Sequence, residues 1–420
     1  MVADLLAVGI VAGTVIRTIV YGIVGEENHH IYMIIRVTLI ILIFFTGSLI
    51  INYKNDDKRI SFRDSKEISS VVNGNLTYGE MILHNKLFKS EVISFVVFNL
   101  VGVDIGCGVD LVQTDIDFAH RLDELDAVIR KYIPFGMDTH PTEMAWDFEQ
   151  LRCWKYLDKE TKTRAMTALG TLGGGNHFIE AYEGGWLSVH SGSRNIGYKV
   201  AAYYQTLAEK RVKEHNYSVL KEQIKSIEPT QREKWIADHK IQVNRDLCYL
   251  TGADMDDYLH DVAVMQKFAN DNRMAMLKAI TYAMGGTVLQ HINSIHNYID
   301  TENMYLRKGA ISAQEGQILV IPLNMRDGLL VCEGKGNPEW NYSAPHGAGR
   351  LYSRSKAKEI FTVEEYAQEM DGIYSSCINE STLDEAPFVY KDYVEIMECI
   401  EPTVKILDRL IPIFNFKANG

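Results

Sequence analysis

Five short segments set metal-binding or nucleophilic side chains among glycines and other small or polar residues. They are VGVDIGCGVD (101–110), GTLGGGNHFIE (170–180), VHSGSRNIG (189–197), SIHNYI (294–299) and APHGAGR (344–350). Glycine lets a backbone approach a ligand closely, and it loses more conformational entropy on folding than any other residue. Packing alone rarely offsets that loss, so we expect a fold that is built around one site.

The chain from residue 99 onward alternates between strand-like and helix-like segments. The strand-like runs lead into glycines, as in VISFVVFNLVGVDI, GWLSVHSG, GQILVIPL and DGLLVCEG. Helical spacing marks 198–215, 254–284 and 362–370, the last with Thr362 as its N-cap. The pattern predicts an α/β (α+β) fold, with one large domain of mixed sheets and surrounding helices over residues 99–420.

Residues 1–98 form a hydrophobic region of a different kind. The run from Ile31 to Ile51 holds one charged residue, Arg36, and as a helix it could cross the roughly 30 Å hydrocarbon layer of a membrane. It lacks the features of a secretory signal, because a positive n-region and a small-residue cleavage site are missing. A membrane anchor and a buried part of the core both stay open.

The net charge of −12 argues against a nucleic-acid partner, since phosphate binding needs Lys and Arg. That objection is global, and a local basic strip can lie on an acidic protein. The candidate strips are Arg350, Arg354, Lys356 and Lys358 in one segment and Arg307 and Lys308 in another. A solvated helix face is an equally good interpretation of the first strip.

The six cysteines are scattered and include no CxxC pair. They stand at positions 107, 153, 248, 332, 377 and 399. This pattern argues against a disulfide scaffold and favours a reducing cytoplasm. Five of them are predicted to be buried core residues, because free cysteine behaves as a small hydrophobe. Cys107 differs, since it lies between two glycines and three residues after Asp104.

Three of the thirteen histidines are candidate metal ligands. His177 follows GGGN, whose bare backbone amides suit an anion. His190 ends an apolar strand before SGSR, where two hydroxyls and an arginine suit phosphate oxygens. His296 is the weaker candidate, because His291 is a rival that the sequence does not separate from it.

Asp104 and Cys107 add a hard and a soft donor to these histidines. Carboxylates suit Mn²⁺ or Mg²⁺, thiolates and imidazoles suit Zn²⁺, Co²⁺ or Fe²⁺, and one thiolate can bridge two ions. Structural zinc is disfavoured because its ligands usually come in closely spaced pairs. We therefore predict a catalytic metal site, with two ions as the favoured arrangement.

His346 is a candidate nucleophile because its small neighbours leave the imidazole accessible and Arg350 is available for a phosphate. A neutral histidine nitrogen can attack phosphorus and form a covalent phosphoramidate. The alternative is a loop histidine that only packs. The chain has no GxxxxGK[ST] phosphate loop, no HExxH helix and no KxDG lysine motif.

In their order along the chain, DIGCGVD, GTLGGGNHFIE, VHSGSRNIG, HNY, RKGA and HGAGR resemble the RtcB family of tRNA-splicing RNA ligases. The resemblance runs from about residue 99 to the C-terminus. It implies a cytoplasmic GTP- and Mn²⁺-dependent ligase, acting in tRNA splicing or RNA repair through a histidine–GMP intermediate. The implied partners are GTP and RNA ends that carry a 3′-phosphate or 2′,3′-cyclic phosphate and a 5′-hydroxyl. An activating protein stays open, and membrane association is not favoured.

The resemblance also implies roles for single residues. His346 would take GMP, and Arg194 and Arg350 would contact phosphates. The implied ligands of manganese, with two ions expected, are Asp104, Cys107, His177, His190 and His296. The implied guanylate contacts are Asn176, His177, Phe178, Ile179, Glu180, Asn297, Pro322, Leu323, Asn324, Met325, Gly347, Ala348, Gly349 and Lys417.

Two departures from the family pattern affect these expectations. Pro322–Gly328 replaces a PGSMG-like turn and leaves Leu329 where a hydroxyl is expected. The family's PDVHxGxG segment has no counterpart in residues 1–100, which suggests a shifted reading frame or a decayed gene, with the apolar run as an accident of translation. The alternatives are therefore an inactive or membrane-tethered nucleotide-binding relative and a metal-dependent hydrolase that does not use GTP.

Overall fold

The computed structural model describes residues 96–97, 104–238, 243–303 and 305–418. These residues all lie in one compact unit, Thr77–Gly420. The apolar run at 31–51 lies outside the described residues, and so does most of the region to which the reading-frame hypothesis applies. None of the described helices combines the length and the apolar character that a membrane crossing would need.

The described residues confirm the α/β class with eight α-helices and fourteen strands. The helices are α1 Leu122–Tyr132, α2 Lys159–Met166, α3 Arg194–Gln223, α4 Arg232–Asp238, α5 Gly252–Ala283, α6 Arg354–Ile360, α7 Val363–Glu369 and α8 Tyr393–Ile400. The strands are β1 Val96–Val97, β2 Gly108–Thr114, β3 Phe178–Tyr182, β4 Trp186–Ser191, β5 Tyr249–Leu250, β6 Val288–Ile295, β7 Asn297–Asp300, β8 Tyr305–Lys308, β9 Ala310–Ser312, β10 Ile318–Asn324, β11 Gly328–Gly334, β12 Ser343–Pro345, β13 Val404–Leu410 and β14 Pro412–Lys417.

A five-stranded antiparallel sheet in the order β14-β3-β4-β2-β6 carries most of the candidate site. Successive side chains of a strand point to opposite faces, so each strand contributes to two cores. Val112 of β2 packs with Met276 and Ile280 of α5 on one face. Val109 and Leu111 pack on the other face with residues of β10, β11 and β13.

The other strands form smaller antiparallel sheets beside the first. β10, β11 and β13 make a three-stranded sheet in that order with β11 in the centre, and the remaining pairs are β9 with β12, β7 with β8 and β1 with β5. The five-stranded sheet therefore lies between α5 on one face and the three-stranded sheet on the other.

Local sequence signals explain several elements that were predicted. The helical spacing at 198–215 falls within α3, and that at 254–284 coincides with α5 except for its last residue, Met284, which is the C-cap. Thr362 caps α7, and its hydroxyl and the Glu365 carboxylate form a reciprocal capping box. GWLSVHSG, GQILVIPL and DGLLVCEG form β4, β10 and β11.

Two predictions about single residues were wrong. Arg307 does not belong to a surface strip, because β8 buries its guanidinium among hydrogen-bond acceptors. Cys399 is exposed, because Ile396 and Ile400 form the buried face of α8 and Cys399 lies off it. The other cysteines are buried, and all six thiols are free, as the absence of a disulfide pattern predicted.

Candidate active site

The register of three neighbouring strands brings the predicted metal ligands together. Gly108 of β2 lies opposite Ser191 of β4 and Ile295 of β6. The predicted ligands that adjoin these three positions are Cys107, His190 and His296. His177 directly precedes β3, which pairs with β4. Segments that are far apart in sequence therefore meet at one end of the sheet.

The donor atoms form two triads that share the Cys107 thiol. The first triad is Cys107, His190 and His296, and the second is Asp104, Cys107 and His177, with the ligand atoms of each within 4.8 Å of one another. The Cys107 Sγ lies 3.3 Å from the Nε2 of His190 and 3.6 Å from the Nε2 of His177. The His190 and His296 Nε2 atoms are 3.3 Å apart. A shared sulfur suits a pair of ions, because a thiolate can bridge two metals.

Backbone carbonyls fix the tautomers of two of these histidines. The Nδ1 of His177 donates to the carbonyl of Leu172 at 2.9 Å, and the Nδ1 of His190 donates to the carbonyl of Asn176 at 3.1 Å. A carbonyl only accepts, so Nδ1 carries a proton in both rings and Nε2 points into the cluster. In the neutral ring, which is the form that binds a metal, Nε2 presents its lone pair there. Metal-binding histidines are commonly oriented in this way. The residues present therefore fit a divalent metal.

Burial and neighbouring charges set the protonation of the cluster. Burial lowers the pKa of His190 and of His296 well below its usual value, so both rings are neutral. Burial alone would raise the pKa of Asp104, but the hydrogen bond and charge of His177 hold it at about 2. Burial, together with the Asp104 carboxylate, raises the pKa of the Cys107 thiol well above its usual value. Metal ligation would reverse this, since a coordinating thiol is deprotonated.

Close approach around Asp104 requires a glycine in the VHSGSRNIG segment. A Cβ atom on Gly192 would lie 2.0 Å from the Oδ1 of Asp104. Any other side chain at this position would displace the carboxylate, which explains one glycine of the motif.

A buried arginine that the motifs did not single out joins two of the ligand strands. Arg273 of α5 donates from Nη1 to the carbonyls of Gly106 and Ser191, at 2.8 and 3.0 Å. Its Nε pairs with Asp110 of β2 at 2.9 Å, and both side chains are fully buried. Gly106 and Ser191 are next to Cys107 and His190, so this ion pair holds the two ligands in register.

The positions of His291 and His296 relative to β6 decide which of them is the candidate ligand. His296 directly follows β6 and joins the ligand cluster. His291 lies within β6, its Nε2 is 3.2 Å from the Oδ1 of Asp110, and it belongs to neither group of ligand atoms.

His346 lies beside the metal cluster and has an oriented imidazole. Its Nδ1 donates to the carbonyl of Gly309 at 2.7 Å, which leaves the lone pair of Nε2 free. Its ring centroid is 4.9 Å from that of His296. Burial lowers the pKa of His346, so the ring is neutral at neutral pH. A neutral, oriented imidazole beside a metal site is the form in which histidine acts as a nucleophile.

Several predicted nucleotide contacts share the sheet face of His190. Phe178 lies opposite His190 and Lys417 in the strand ladders, and the Lys417 Nζ lies 5.5 Å from the centre of the Phe178 ring. Glu180 is buried on the same face and accepts hydrogen bonds from Tyr182 and Asn415. Burial raises the pKa of Glu180 to about 7 despite these bonds and the charge of Lys417.

Other predicted contacts point elsewhere. Ile179 faces the α5 side of the sheet, and Leu323 and Met325 lie in separate hydrophobic clusters. The Asn324 carboxamide accepts hydrogen bonds from the Arg326 and Asp327 amides and forms a turn. Contacts of these residues with a ligand could involve only their backbone.

The loop residues around His346 contact one another through the backbone. The Asn297 Oδ1 accepts from the Gly309 amide at 3.3 Å. A Cβ on Gly347 would lie 3.0 Å from the carbonyl oxygen of Pro322. Ala348 is buried, and Gly349 has a φ of 75°. The HGAG turn therefore packs closely on the end of β10.

Arg194, a predicted phosphate contact, lies under the glycine-rich loop. It has a φ of 59°, and its Nε donates to the Thr171 hydroxyl at 2.9 Å. A Cβ on Gly173 would lie 1.7 Å from the Arg194 Nη1, so the loop passes directly over the guanidinium. Burial lowers the pKa of Arg194.

Glu385, a buried residue outside every motif of the sequence, forms ion pairs with Arg350, Arg354 and Lys417. The Arg350 Nη1 donates to the Oε1 of Glu385 at 2.8 Å, and Arg350 also donates to the Asp384 carbonyl. The Lys417 Nζ is 3.4 Å from the Oε2 of Glu385, and the Arg354 Nη2 is 3.5 Å from its Oε1. Glu385 therefore joins two predicted ligand contacts, Arg350 and Lys417, that lie 67 positions apart in the sequence.

Comparison with known proteins gives a family for this arrangement. The family model of the tRNA-splicing ligase RtcB matches residues 149–418. The RNA-splicing ligase RtcB of Escherichia coli (strain K12) is 32% identical over 351 residues, which cover 73% of this chain and 80% of that protein.

Two archaeal proteins show similar coverage at lower identity. The tRNA-splicing ligase RtcB of Nanoarchaeum equitans is 26% identical and covers 77% of this chain and 82% of its own length. The tRNA-splicing ligase RtcB of Aeropyrum pernix is also 26% identical, with 70% and 75% covered.

Proposed function

Because the chain belongs to the family of the tRNA-splicing ligase RtcB, we propose that it uses GTP and Mn²⁺ to join broken RNA ends. Its relatives are named RNA-splicing or tRNA-splicing ligases, and the enzyme class is an RNA ligase. The proposed substrates are one RNA end with a 3′-phosphate or 2′,3′-cyclic phosphate and one with a 5′-hydroxyl. The proposed setting is tRNA splicing or RNA repair in the cytoplasm.

The setting of His346 carries this proposal. The Nδ1–H donates to the Gly309 carbonyl, and the neutral ring presents the lone pair of Nε2 beside the ligand cluster. In the first step, Nε2 attacks the α-phosphorus of GTP and forms an N–P bond. The bond from this phosphorus to the bridging oxygen breaks, and pyrophosphate leaves.

The two triads are the proposed manganese ligands. Asp104, Cys107 and His177 would hold one ion, and Cys107, His190 and His296 would hold the second. Bound there, Mn²⁺ would offset the negative charge of the phosphates and orient them. The mixture of carboxylate, thiolate and imidazole suits a borderline divalent ion.

The next two steps transfer GMP and close the RNA. An oxygen of the RNA 3′-phosphate attacks the GMP phosphorus, and the P–N bond breaks with its electron pair returning to Nε2 of His346. The 5′-hydroxyl then attacks the RNA phosphorus, its proton passes to solvent, and GMP leaves as the phosphodiester forms. A 2′,3′-cyclic phosphate must first be opened by water to the 3′-phosphate.

The charged and aromatic residues around His346 are assigned by position. We place the phosphates near Arg194 and Arg350, whose guanidiniums suit two oxygens at once. We place the guanine base against Phe178, Glu180 and Lys417, which share the sheet face of His190.

Mass spectrometry of the full-length protein incubated with GTP and Mn²⁺ tests the first step. We expect one added GMP on a peptide that contains His346, and no adduct on His346→Ala protein. Labelling of the His346→Ala protein would contradict the assignment of the nucleophile. His291→Ala is the matched control, since His291 lies outside the cluster, and it should still be labelled.

Ligation of a broken RNA stem with cyclic-phosphate and 5′-hydroxyl ends tests the whole reaction. We expect a joined product only with both GTP and Mn²⁺ present. GMP labelling without joined product would favour the nucleotide-binding alternative. Cleavage of the cyclic phosphate without GMP labelling would favour a metal-dependent hydrolase.

A further inference from the structure

The chain adopts an unfavourable backbone conformation shortly before His346. Asn341 and Tyr342 are consecutive non-glycine residues with φ of 49° and 53°. The left-handed region is sterically unfavourable for residues that carry a Cβ atom. The strand β12 begins at the next residue and ends at Pro345, one residue before His346. The conformation of this turn therefore sets the path of the chain into His346.

The side chain of Arg307 holds this turn in place. Its Nη2 contacts the carbonyls of Asn341 and Tyr342, each at 3.4 Å, and its Nε donates to the Ser343 hydroxyl at 2.9 Å. Its Nη1 donates to the Tyr298 hydroxyl at 2.8 Å. Arg307 as a whole is 1% exposed. A rigid fork of donors suits several acceptors at once, which a lysine cannot match.

The backbone two residues after Arg307 orients the imidazole itself. The Gly309 carbonyl accepts from the Nδ1 of His346 at 2.7 Å, and the Gly309 amide donates to the carbonyl of the ligand His296 at 2.9 Å. Ala310 pairs with Pro345 in the β9–β12 ladder. Residues 307–310 therefore hold the His346 strand at three points.

We propose that Arg307 is a positioning residue for His346: by holding the left-handed Asn341–Tyr342 turn, it keeps the Nδ1–H of His346 donating to the Gly309 carbonyl and the lone pair of Nε2 available for attack. Arg307 acts through the backbone and does not touch the reacting phosphate. The positioning role of Arg307 rests on the proposed function in one respect only, namely that His346 attacks the α-phosphorus of GTP. The tautomer of His346 is a property of the free protein.

Two readouts test the role of Arg307 in the full chain. Two-bond ¹H–¹⁵N spectra of ¹⁵N-histidine protein report which ring nitrogen of His346 carries the proton, with His346→Gln protein to assign the signals. The single-turnover rate of GMP addition at saturating GTP and Mn²⁺ reports the chemical step. Small misplacements of a reacting group can slow a reaction about 100-fold.

We expect Arg307→Met to shift His346 to a mixture of tautomers and to slow GMP addition at least about 10-fold, with GTP affinity changed much less. Arg307→Lys should add GMP at a rate between those of the wild type and Arg307→Met. Tyr298→Phe removes one hydrogen-bond partner of Arg307 and should change the tautomer and the rate slightly in the same direction. Leu125→Ala is the destabilised control, because it opens a cavity in α1 and should keep the Nδ1–H tautomer.

The outcomes separate this proposal from the proposed function. If Arg307→Met is unfolded, the tautomers and rates of Arg307→Lys and Tyr298→Phe test the proposal instead. The proposal is overturned if the folded variants keep both the wild-type tautomer and the wild-type rate. If wild-type protein takes no GMP but the Arg307 variants lose the Nδ1–H tautomer, the proposed function fails and the positioning role stands.

Discussion

At the scale of single residues, Cys107 is the donor that the two triads have in common. Cys107→Ala should therefore weaken manganese binding at both positions, whereas Asp104→Asn replaces a charged donor with a weaker, neutral oxygen in one triad only. We expect a loss of at least about 10-fold in Mn²⁺ affinity for Cys107→Ala, with fewer ions bound. Calorimetric titration of each variant with Mn²⁺ measures affinity and stoichiometry.

Cys332 provides the matched control for this experiment. It is a free, fully buried thiol in β11, opposite Leu319 of β10 and Ile406 of β13, and it belongs to neither triad. Cys332→Ala should bind manganese like the wild type. Equal Mn²⁺ binding by Cys107→Ala and Cys332→Ala would exclude the shared-thiolate arrangement.

Glu180 makes the stability of the fold depend on pH. Burial raises its pKa from the usual 4.5 to about 7, so the folded protein holds a proton that the unfolded chain has released in this interval. This contribution is fully present below pH 4.5 and is lost as pH rises to about 7. Over that range, the free energy of unfolding should fall by about 3 kcal/mol relative to Glu180→Gln. Urea unfolding of both proteins at pH 5 and pH 8 measures this difference, and parallel pH profiles would contradict it.

The metal ligands could be predicted from the sequence only where neighbouring residues marked them. Glycine neighbours marked Asp104, Cys107 and His177, but spacing could not separate His291 from His296. The distinction depends on where the ladder between β6 and β2 ends, because His291 pairs with Val112 and His296 follows the last paired residue, Ile295. Such a register is set by partners that are distant in the sequence.

At the scale of elements, Glu385 links helix α6, strand β14 and the HGAGR turn. It is 3% exposed and pairs with Arg350, Arg354 and Lys417. Burial alone would raise its pKa, but Lys417, Tyr390 and the arginines lower it, so the carboxylate is charged. Removing one member of a buried pair leaves the others without compensation.

We therefore expect Glu385→Gln to reduce the free energy of unfolding by about 3 kcal/mol. Glu359→Gln in α6 is the control, because both side chains of the Lys356–Glu359 pair are exposed and its loss should change stability by less than about 0.5 kcal/mol. Denaturant unfolding compares the two. A similar small effect of both variants would show that Glu385 does not organise these cations.

Elements with strong periodicity or caps could be predicted from the sequence, and long-range polar contacts could not. The apolar spacing of α3 and α5 and the capping box of α7 are local signals. Glu385 and Arg307 gave no such signal, because their partners are brought to them by the fold. The basic strip that contains Arg350 was visible as charge, but its buried acidic partner was not.

At the scale of the whole molecule, the metal ligands are carried by a scaffold that other interactions stabilise. The ligand strands β2 and β4 lie between α5 and the three-stranded sheet. The buried Arg273–Asp110 pair joins the same strands without any ion. Structural zinc sites differ, because their small domains lack such a core and unfold when the metal is removed.

We therefore expect protein treated with a chelator to keep its folded near-ultraviolet circular dichroism spectrum. Added Mn²⁺ should raise the free energy of unfolding by about 2.7 kcal/mol at 100 times its Kd, because it binds the folded state alone. Cys107→Ala protein should gain much less at the same Mn²⁺ concentration, since Cys107 belongs to both triads. Loss of the folded spectrum on chelation would mean that the core cannot hold the site without metal. An equal gain in Cys107→Ala would place the stabilising ion elsewhere in the protein.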